Sequence, residues 1–174
     1  MLRQLGPCLA SNKRDRSIAF LDAAIDSPQE AAAFDALFGD TTNRCMQNFV
    51  SATLVRAWVR GVVAEGLFKD AMRDWPEGTV PAIEEPESIA SIHDFARCYV
   101  AQDFAAARGL IEETRLGDKS ELARMRELAP TFGPCMPQGS QIALKPMNIR
   151  MALAEALYHA TRNPGAARLP GQSD

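Results

Sequence analysis

The four cysteines are the residues whose type and spacing most directly suggest chemistry. The interval from Cys8 to Cys45 equals the interval from Cys98 to Cys135. No Cys-x-x-Cys occurs and neither histidine stands at a zinc-ligand spacing, which argues against a metal site. No base recurs near both pairs, which argues against a catalytic thiol. Buried reduced thiols and disulfides both stay open, and the equal spacing favours disulfides Cys8–Cys45 and Cys98–Cys135.

A glutamate and a histidine lie four residues apart near the end of the chain, where both side chains could face one ligand. These are Glu155 and His159, and the corresponding positions of the first half hold Glu65 and Lys69. Pairs at this spacing are typical of contacts on a solvated helix surface. The sequence identifies no partner for His93. Phosphate-binding loops, nucleophile elbows and paired-carboxylate motifs do not occur, so we assign no catalytic, cofactor-binding or metal-binding residue and disfavour an enzyme.

A shift of the sequence by 90 residues lays Cys8 on Cys98 and Cys45 on Cys135. The same shift lays the segment Ala-Glu-Gly-Leu-Phe, ending at Phe68, on Ala-Glu-Ala-Leu-Tyr, ending at Tyr158. Repeats at a fixed period are the sequence signature of duplicated units. We therefore interpret the chain as an internal duplication.

Charged residues retained in both copies are expected to be structural. The shift aligns Arg60 with Arg150, Glu65 with Glu155, and Asp22 with Glu112. One active site rarely occurs twice in so small a chain, so these groups indicate interhelical ion pairs or hydrogen bonds that cap loops. We expect each arginine to contact carboxylates or loop carbonyls within its own unit.

Helices must position these residues, because alanine is abundant and β-branched residues are few. We predict an all-α protein of two pseudo-repeats, about four helices each, packed into one body. The boundaries are 1–75 for the first unit, 76–87 for a connector rich in proline and glutamate, 88–162 for the second unit, and 163–174 for a disordered tail. The predicted helices of the second unit cover 88–101, 104–114, 118 to just before Pro130, and 146–162. In the first unit, capping signals place a helix between Ser27 and Gly39, and the last helix is expected from about 49 to 75.

Composition and charge exclude several classes of protein. Apolar residues make up 47% of the chain and charged residues 24%, the balance of a soluble globular protein. The net charge of −3 arises in the connector, and no basic face is present to neutralise phosphates, which disfavours nucleic-acid binding. No uncharged run is suited to span a membrane, because the longest is broken by prolines and glycines.

Four packing motifs carry a resemblance to a known family. They are Arg97-Cys98, the Ala-rich helix that follows, Gly133-Pro134-Cys135, and the segment Arg-x-x-Leu-Ala-Glu-Ala-Leu-Tyr that ends at Tyr158. Together they resemble an uncharacterised family of small helical alphaproteobacterial proteins, usually exported and built from a duplicated two-cysteine unit. The resemblance covers nearly the whole chain and implies no known activity.

The first seven residues form a segment that is too short and too polar for a signal peptide. In this respect the sequence departs from the family. The predicted helix contains ten residues before Cys98, but only seven residues precede Cys8. We therefore expect the true start to lie upstream, with an export signal.

These observations favour a non-enzymatic binding or scaffold module of the bacterial cell envelope, with a protein partner. The groove between the units and the loops around Cys45 and Cys135 are the expected places for that partner. One alternative is an enzyme or small-ligand protein that uses a pocket between the units. Another is a cytosolic adaptor with reduced cysteines. No cofactor or metal is expected, and the oligomeric state is not predicted.

Overall fold

The computed structural model describes residues 1–39, 44–46, 53–76, 79–136 and 144–162. The secondary-structure elements of these residues are helices, which confirms the all-α class. In chain order they are α1 (Leu2–Asn12), α2 (Arg14–Asp22), α3 (Pro28–Phe38), α4 (Arg56–Met72), α5 (Ile92–Gln102), α6 (Phe104–Glu113), α7 (Lys119–Leu128) and α8 (Pro146–Arg162), with a 3₁₀ helix Ala129–Cys135 before α8.

Helices α4 and α8 form the centre of the molecule and pack directly against each other. Every residue of α8 from 149 to 158 is buried, so this helix has no solvated face along most of its length. A helix buried on all sides is typical of the middle of a bundle. Helix α1 covers α4, and α5 covers α8. The last helix of each predicted unit is thus the inner one.

Polar side chains fix several helix starts by satisfying backbone N–H groups that have no partner within the helix. The Ser27 side chain accepts a hydrogen bond from the Glu30 backbone N–H, as the predicted capping box requires. Ser91 and Asp94 form a complete capping box at the start of α5. Asp103 caps α6 by accepting from the Ala106 N–H at 2.9 Å.

Glycine at position 6 allows α1 to approach α4 closely. A Cβ atom placed on Gly6 would lie only 2.0 Å from the backbone oxygen of Val62. Contacts of this length do not occur between real atoms, so a larger residue would force the two helices apart. The glycine is therefore a packing requirement of the first unit.

Three predicted boundaries are wrong. Helix α5 begins at Ile92 instead of residue 88, where Ser91 caps it. Helix α4 begins at Arg56 instead of about residue 49. Residues 129–135 form a 3₁₀ helix where we expected a loop. Helix α1 begins at Leu2 and α5 at Ile92, so each contains six residues before its cysteine.

The described part of the connector, residues 76 and 79–87, contains no helix. The predicted disordered tail, 163–174, lies outside the described residues, as do most residues of the loops that follow Cys45 and Cys135.

The helices of the two predicted units occur in the same order and at nearly the same intervals. The turn before α3 contains Asp26 with φ of 60°, and the turn before α7 contains Gly117 with φ of 71°. In each turn that residue donates its backbone N–H to a buried glutamate of the following helix, Glu30 or Glu121. These correspondences support the duplication, which remains our interpretation of the sequence.

Candidate functional site

The cysteines are bonded in the pairs favoured by their spacing. Cys8 is joined to Cys45 with Cα atoms 5.6 Å apart, and Cys98 to Cys135 with Cα atoms 5.7 Å apart. Both distances lie inside the range that a disulfide spans. Each bond ties the first helix of a unit to the segment that precedes its last helix, so the cysteines hold the scaffold and leave no thiol for chemistry.

Arg60 of α4 is almost completely buried and satisfies two kinds of acceptor. Its guanidinium donates to the backbone oxygens of Phe20 and Leu21, both at 2.8 Å, at the end of α2. It also pairs with Glu155 of α8, at 3.0 Å between Nε and Oε1, and with Glu30, at 3.1 Å. Burial alone would lower the pKa of Arg60, but these two carboxylates raise it, so the side chain stays charged.

Arg150 of α8 makes the corresponding set of contacts. It donates to the backbone oxygens of Leu110 and Ile111 at the end of α6, and to the Thr114 hydroxyl at 2.8 Å. Its Nε and Nη2 atoms bind the carboxylate of Glu65 on α4 at 3.0 and 2.9 Å. Both aligned arginines therefore cap the second helix of their own unit and pair with a carboxylate of the other unit.

The four residues assigned as structural polar groups are thus brought together in two buried ion pairs, Arg60 with Glu155 and Arg150 with Glu65. The carbonyl contacts of Arg60 and Arg150 lie within their own units, as predicted. Glu155 and Glu65, however, come from the opposite unit. The third aligned pair, Asp22 and Glu112, lies apart from them and makes ion pairs with arginines, Arg162 and Arg108 respectively.

Equivalent residues of the two units also contact each other directly. The indole Nε1 of Trp58 donates to the side-chain oxygen of Asn148, its equivalent, at 3.3 Å. Gly61 lies directly against Met151, also its equivalent, so that a Cβ on the glycine would fall 2.4 Å from the Met151 Cβ. Such contacts between equivalents, with reciprocal contacts on either side, are the pattern of a two-fold relationship.

A cleft of about 700 Å³ opens beside Glu155. Residues of both units surround it, and we call it the Glu155 cleft: Ile25, Asp26, Ala57, Ser91, His93, Asp94, Arg97, Ala152, Glu155, Ala156 and His159. Both histidines of the chain line it. The Nδ1 atom of His93 and the Nε2 atom of His159 each lie 3.8 Å from a different oxygen of Glu155.

The carboxylate of Glu155 is held in its charged form. Desolvation raises its pKa, but the neighbouring His159, Arg60 and His93 outweigh this effect and lower the pKa to about 2. The pair Glu155 and His159 is therefore not the solvated helix contact that its spacing suggested, because the glutamate is buried and only the histidine reaches solvent. A permanently charged, rigidly held carboxylate suits binding better than proton transfer near neutral pH.

A smaller cleft of about 200 Å³ lies beside Glu65 at the equivalent place. Its lining residues define what we call the Glu65 cleft: Leu2, Arg3, Pro7, Val62, Glu65, Lys69, Thr114, Arg115 and Leu116. Under the shift of 90 residues, Arg3 corresponds to His93, Val62 to Ala152, and Lys69 to His159. Arg3 reaches across this cleft to donate to the Leu116 carbonyl oxygen.

The two clefts differ in size because their lining residues differ. Val62, Leu116 and Met151 form a small apolar cluster beside the Glu65 cleft. The equivalent of Val62 is the smaller Ala152, and the equivalent of Arg3 is the shorter His93. The same framework therefore carries a smaller cleft and a larger one.

The sequence pointed only weakly to the Glu155 cleft. The sequence identifies no partner for His93, because the residue that it approaches, Glu155, lies in another helix and is distant in the chain. The usable signal was the alignment of both histidines with cationic residues, Arg3 and Lys69. The shift of 90 residues does not identify Glu30 and Glu121 as equivalent, because they align only after a gap of one residue.

Within the residues that the structure describes, no group of three or more histidine, cysteine, aspartate or glutamate side chains is arranged to hold a metal ion. No described helix combines the length and the apolar character that crossing a membrane requires. Comparison with protein-family models, with curated proteins and with solved structures found no match to this chain. The site must therefore be interpreted from its geometry.

Proposed function

We propose that this protein is a non-enzymatic binding module whose ligand is a small molecule held in the Glu155 cleft. The observation that carries the proposal is the contrast between the two equivalent clefts. One keeps about 200 Å³ open and is lined by Val62, Leu116 and Arg3, whereas the other keeps about 700 Å³ open above a buried carboxylate. That volume lies in the range of small-molecule sites, roughly 300–1,000 Å³. Of the two places expected for a partner, this proposal selects the groove between the units over the loops around Cys45 and Cys135.

The chemistry of the cleft supports binding over catalysis. Arg60 holds Glu155 through both carboxylate oxygens, and the low pKa of Glu155 keeps it ionised. A general base works best with a pKa near the operating pH. No cysteine is available as a nucleophile in the described residues, because all four are in disulfides. These features favour a receptor for a ligand over an enzyme.

We further propose that the protein works in an oxidising compartment such as the bacterial periplasm or cell envelope. The support is the pairing of all four cysteines, since disulfides persist in such compartments and are rare in the cytosol. The resemblance to exported alphaproteobacterial proteins agrees with this placement. Four titratable thiols in unfolded, unreduced protein from its native cells would instead support the cytosolic adaptor.

Equilibrium dialysis against a small-molecule extract of the native cells tests the binding function. Mass spectrometry would identify molecules retained by the protein. A variant with a filled cleft, His93→Arg with Ala152→Val, copies the residues Arg3 and Val62 of the Glu65 cleft. The matched control Arg3→His changes the other cleft.

We expect the unmodified protein and the Arg3→His control to retain the same molecule, and the filled-cleft variant to lose it. Retention by all three proteins would place the ligand elsewhere. Capture of a protein partner by all three, with no small molecule retained, would favour the scaffold function over the one proposed.

A further inference from the structure

The two equivalent carboxylates differ in the cation that reaches them. In the Glu65 cleft, the Lys69 ammonium lies 2.6 Å from Glu65 Oε1, in addition to the Arg150 contacts. In the Glu155 cleft, the equivalent residue is His159, whose Nε2 stops 3.8 Å from Glu155 Oε1. A separation of 3.8 Å is too long for a hydrogen bond. Glu155 therefore lacks the ammonium contact that its counterpart has.

The second cationic side chain of the Glu65 cleft has also been exchanged for an imidazole. Arg3 spans the Glu65 cleft, and its equivalent is His93, which lies 3.8 Å from the other oxygen of Glu155. The shorter side chain leaves the cleft open above the carboxylate. At both positions the Glu155 cleft therefore has an imidazole where the Glu65 cleft has the longer side chain of a lysine or an arginine.

The charge of the lining favours a cation as the occupant. The charged residues of the Glu155 cleft are Asp26, Asp94, Glu155 and Arg97. Arg97 is already paired with Asp94, at 2.9 Å. Arg60 lies behind Glu155 and balances it from the protein side. The lining thus holds three carboxylates against one guanidinium, an excess of negative charge that attracts a cationic ligand and disfavours an anionic one.

Apart from Ser91, the remaining wall is apolar and can hold a hydrocarbon stem. Ala57, Ala152 and Ala156 line the cleft, and Ile25 at its edge has 42% of its surface exposed. An apolar wall with few convergent polar groups is the usual composition of a small-molecule site.

We propose that the Glu155 cleft binds the primary ammonium group of a small organic amine, which takes the place that the Lys69 ammonium has at Glu65. This inference rests on the proposed binding function and names the chemical class of its ligand. The ammonium donates one hydrogen bond to Glu155 and another to a neutral imidazole nitrogen of His93 or His159, since a neutral imidazole has one acceptor nitrogen. The apolar stem lies along the three alanines.

Isothermal titration calorimetry with three probes of equal stem length tests the inference. The probes are hexylammonium, hexanol and heptanoate, which share a six-carbon stem and differ only in the head group. We expect hexylammonium to bind at least about tenfold more tightly than the other two. Nα-acetyl-lysine N-methylamide is a fourth probe. If it binds more tightly than hexylammonium, the natural ligand of the cleft is a lysine side chain of a protein. The proposal of a small organic amine is then overturned.

The variant His159→Lys supplies the missing ammonium from the protein itself, at the same four-residue spacing as Lys69 and Glu65. We expect it to fold and to lose hexylammonium binding by at least about tenfold, because Glu155 is then already occupied. The matched control Lys69→His makes the reciprocal change at the Glu65 cleft and should leave binding at Glu155 unaltered. Circular dichroism of both variants checks their helical content.

The outcomes separate this inference from the proposed function. Heptanoate or hexanol binding as tightly as hexylammonium, with loss in the filled-cleft variant, would overturn the recognition of an ammonium group and retain the cleft as a binding site. If no probe binds, the proposal that the cleft recognises an ammonium group is overturned. The dialysis experiment alone would then decide the binding function. Undiminished hexylammonium binding by His159→Lys would also overturn the inference.

Discussion

Arg60 of α4 and Glu155 of α8 form a buried ion pair that joins the two units of the chain. The equivalent residues form the equivalent pair in reverse, Arg150 with Glu65. Each arginine also holds carbonyl oxygens at the end of the second helix of its own unit. One side chain therefore fixes both the fold of a unit and its position against the other unit.

Replacement of Arg60 by alanine should destabilise the protein by about 3–5 kcal/mol, because Glu155 and Glu30 would be left as buried charges without their partner. Urea unfolding followed by circular dichroism measures the change. Arg14→Ala is the matched control, since Arg14 pairs with Asp70 but 52% of its side chain is exposed. Exposed pairs contribute only about 0–1 kcal/mol. Equal losses in the two variants would contradict the structural role of Arg60.

Acidification should lower the free energy of unfolding, partly because Glu155 becomes protonated. Its pKa in the folded state is about 2, below the ordinary value of 4.5, so its charged form stabilises the fold above pH 4.5. This contribution, at most about 3 kcal/mol, is lost as the pH falls from 4.5 towards 2. Urea unfolding between those two pH values should show the loss in the unmodified protein.

The variant Glu155→Gln should be less stable near neutral pH and should lose less stability on acidification. Glu84→Gln, at an exposed connector position, is the matched control and should follow the unmodified protein. An identical acid dependence for Glu155→Gln and the unmodified protein would show that Glu155 does not titrate as its surroundings require.

Each disulfide should stabilise its unit mainly by restricting the unfolded chain. Both bonds have a sequence separation of 37 residues, for which the entropic model gives about 4 kcal/mol each. For a chain of this size, the loss of one bond corresponds to a decrease in Tm of roughly 8–16 °C. Thermal unfolding of the double variant Cys98→Ser and Cys135→Ser, with and without a reducing agent, measures this decrease in Tm. A Tm unchanged by both treatments would contradict this role.

Gly6→Ala should destabilise the contact between α1 and α4 by about 1–3 kcal/mol, because the added methyl group would collide with the Val62 backbone. The matched control is Gly133→Ala, where an added Cβ has no neighbour within 4 Å. Unfolding in urea compares the two. A smaller effect at position 6 than at position 133 would mean that α1 does not lie this close to α4.

The all-α class and the cysteine pairing could be predicted from the sequence, because both depend on features visible along the chain. Periodicity and capping residues such as Ser27 and Asp103 determine where helices form. Equal spacing links each pair of cysteines. The boundary at Ile92 could not be predicted from periodicity, since apolar residues such as Ile89 continue the pattern before the cap at Ser91.

The candidate site was less predictable, because it depends on how the two units face each other. The alignment identified Arg60, Arg150, Glu65 and Glu155 as related residues. It contained no information about which carboxylate each arginine reaches, since contacts within and between units fit the same spacing. The Glu155 cleft depends on differences between equivalent residues, such as Ala152 in place of Val62. The effect of these differences on cleft size can be recognised only when the structure of both clefts is known.

The side-chain NMR signals of the histidine rings test the central claim most directly, which is that the Glu155 cleft is the binding site. The chain contains only two histidines, and both line this cleft. The protein is titrated with a set of small amines, acids and alcohols. We predict that at least one of these compounds shifts both ring signals, while the backbone signals of Val62 and Leu116 in the Glu65 cleft stay unchanged. Compounds that shift the Val62 and Leu116 signals and leave both histidine signals unchanged would contradict the account.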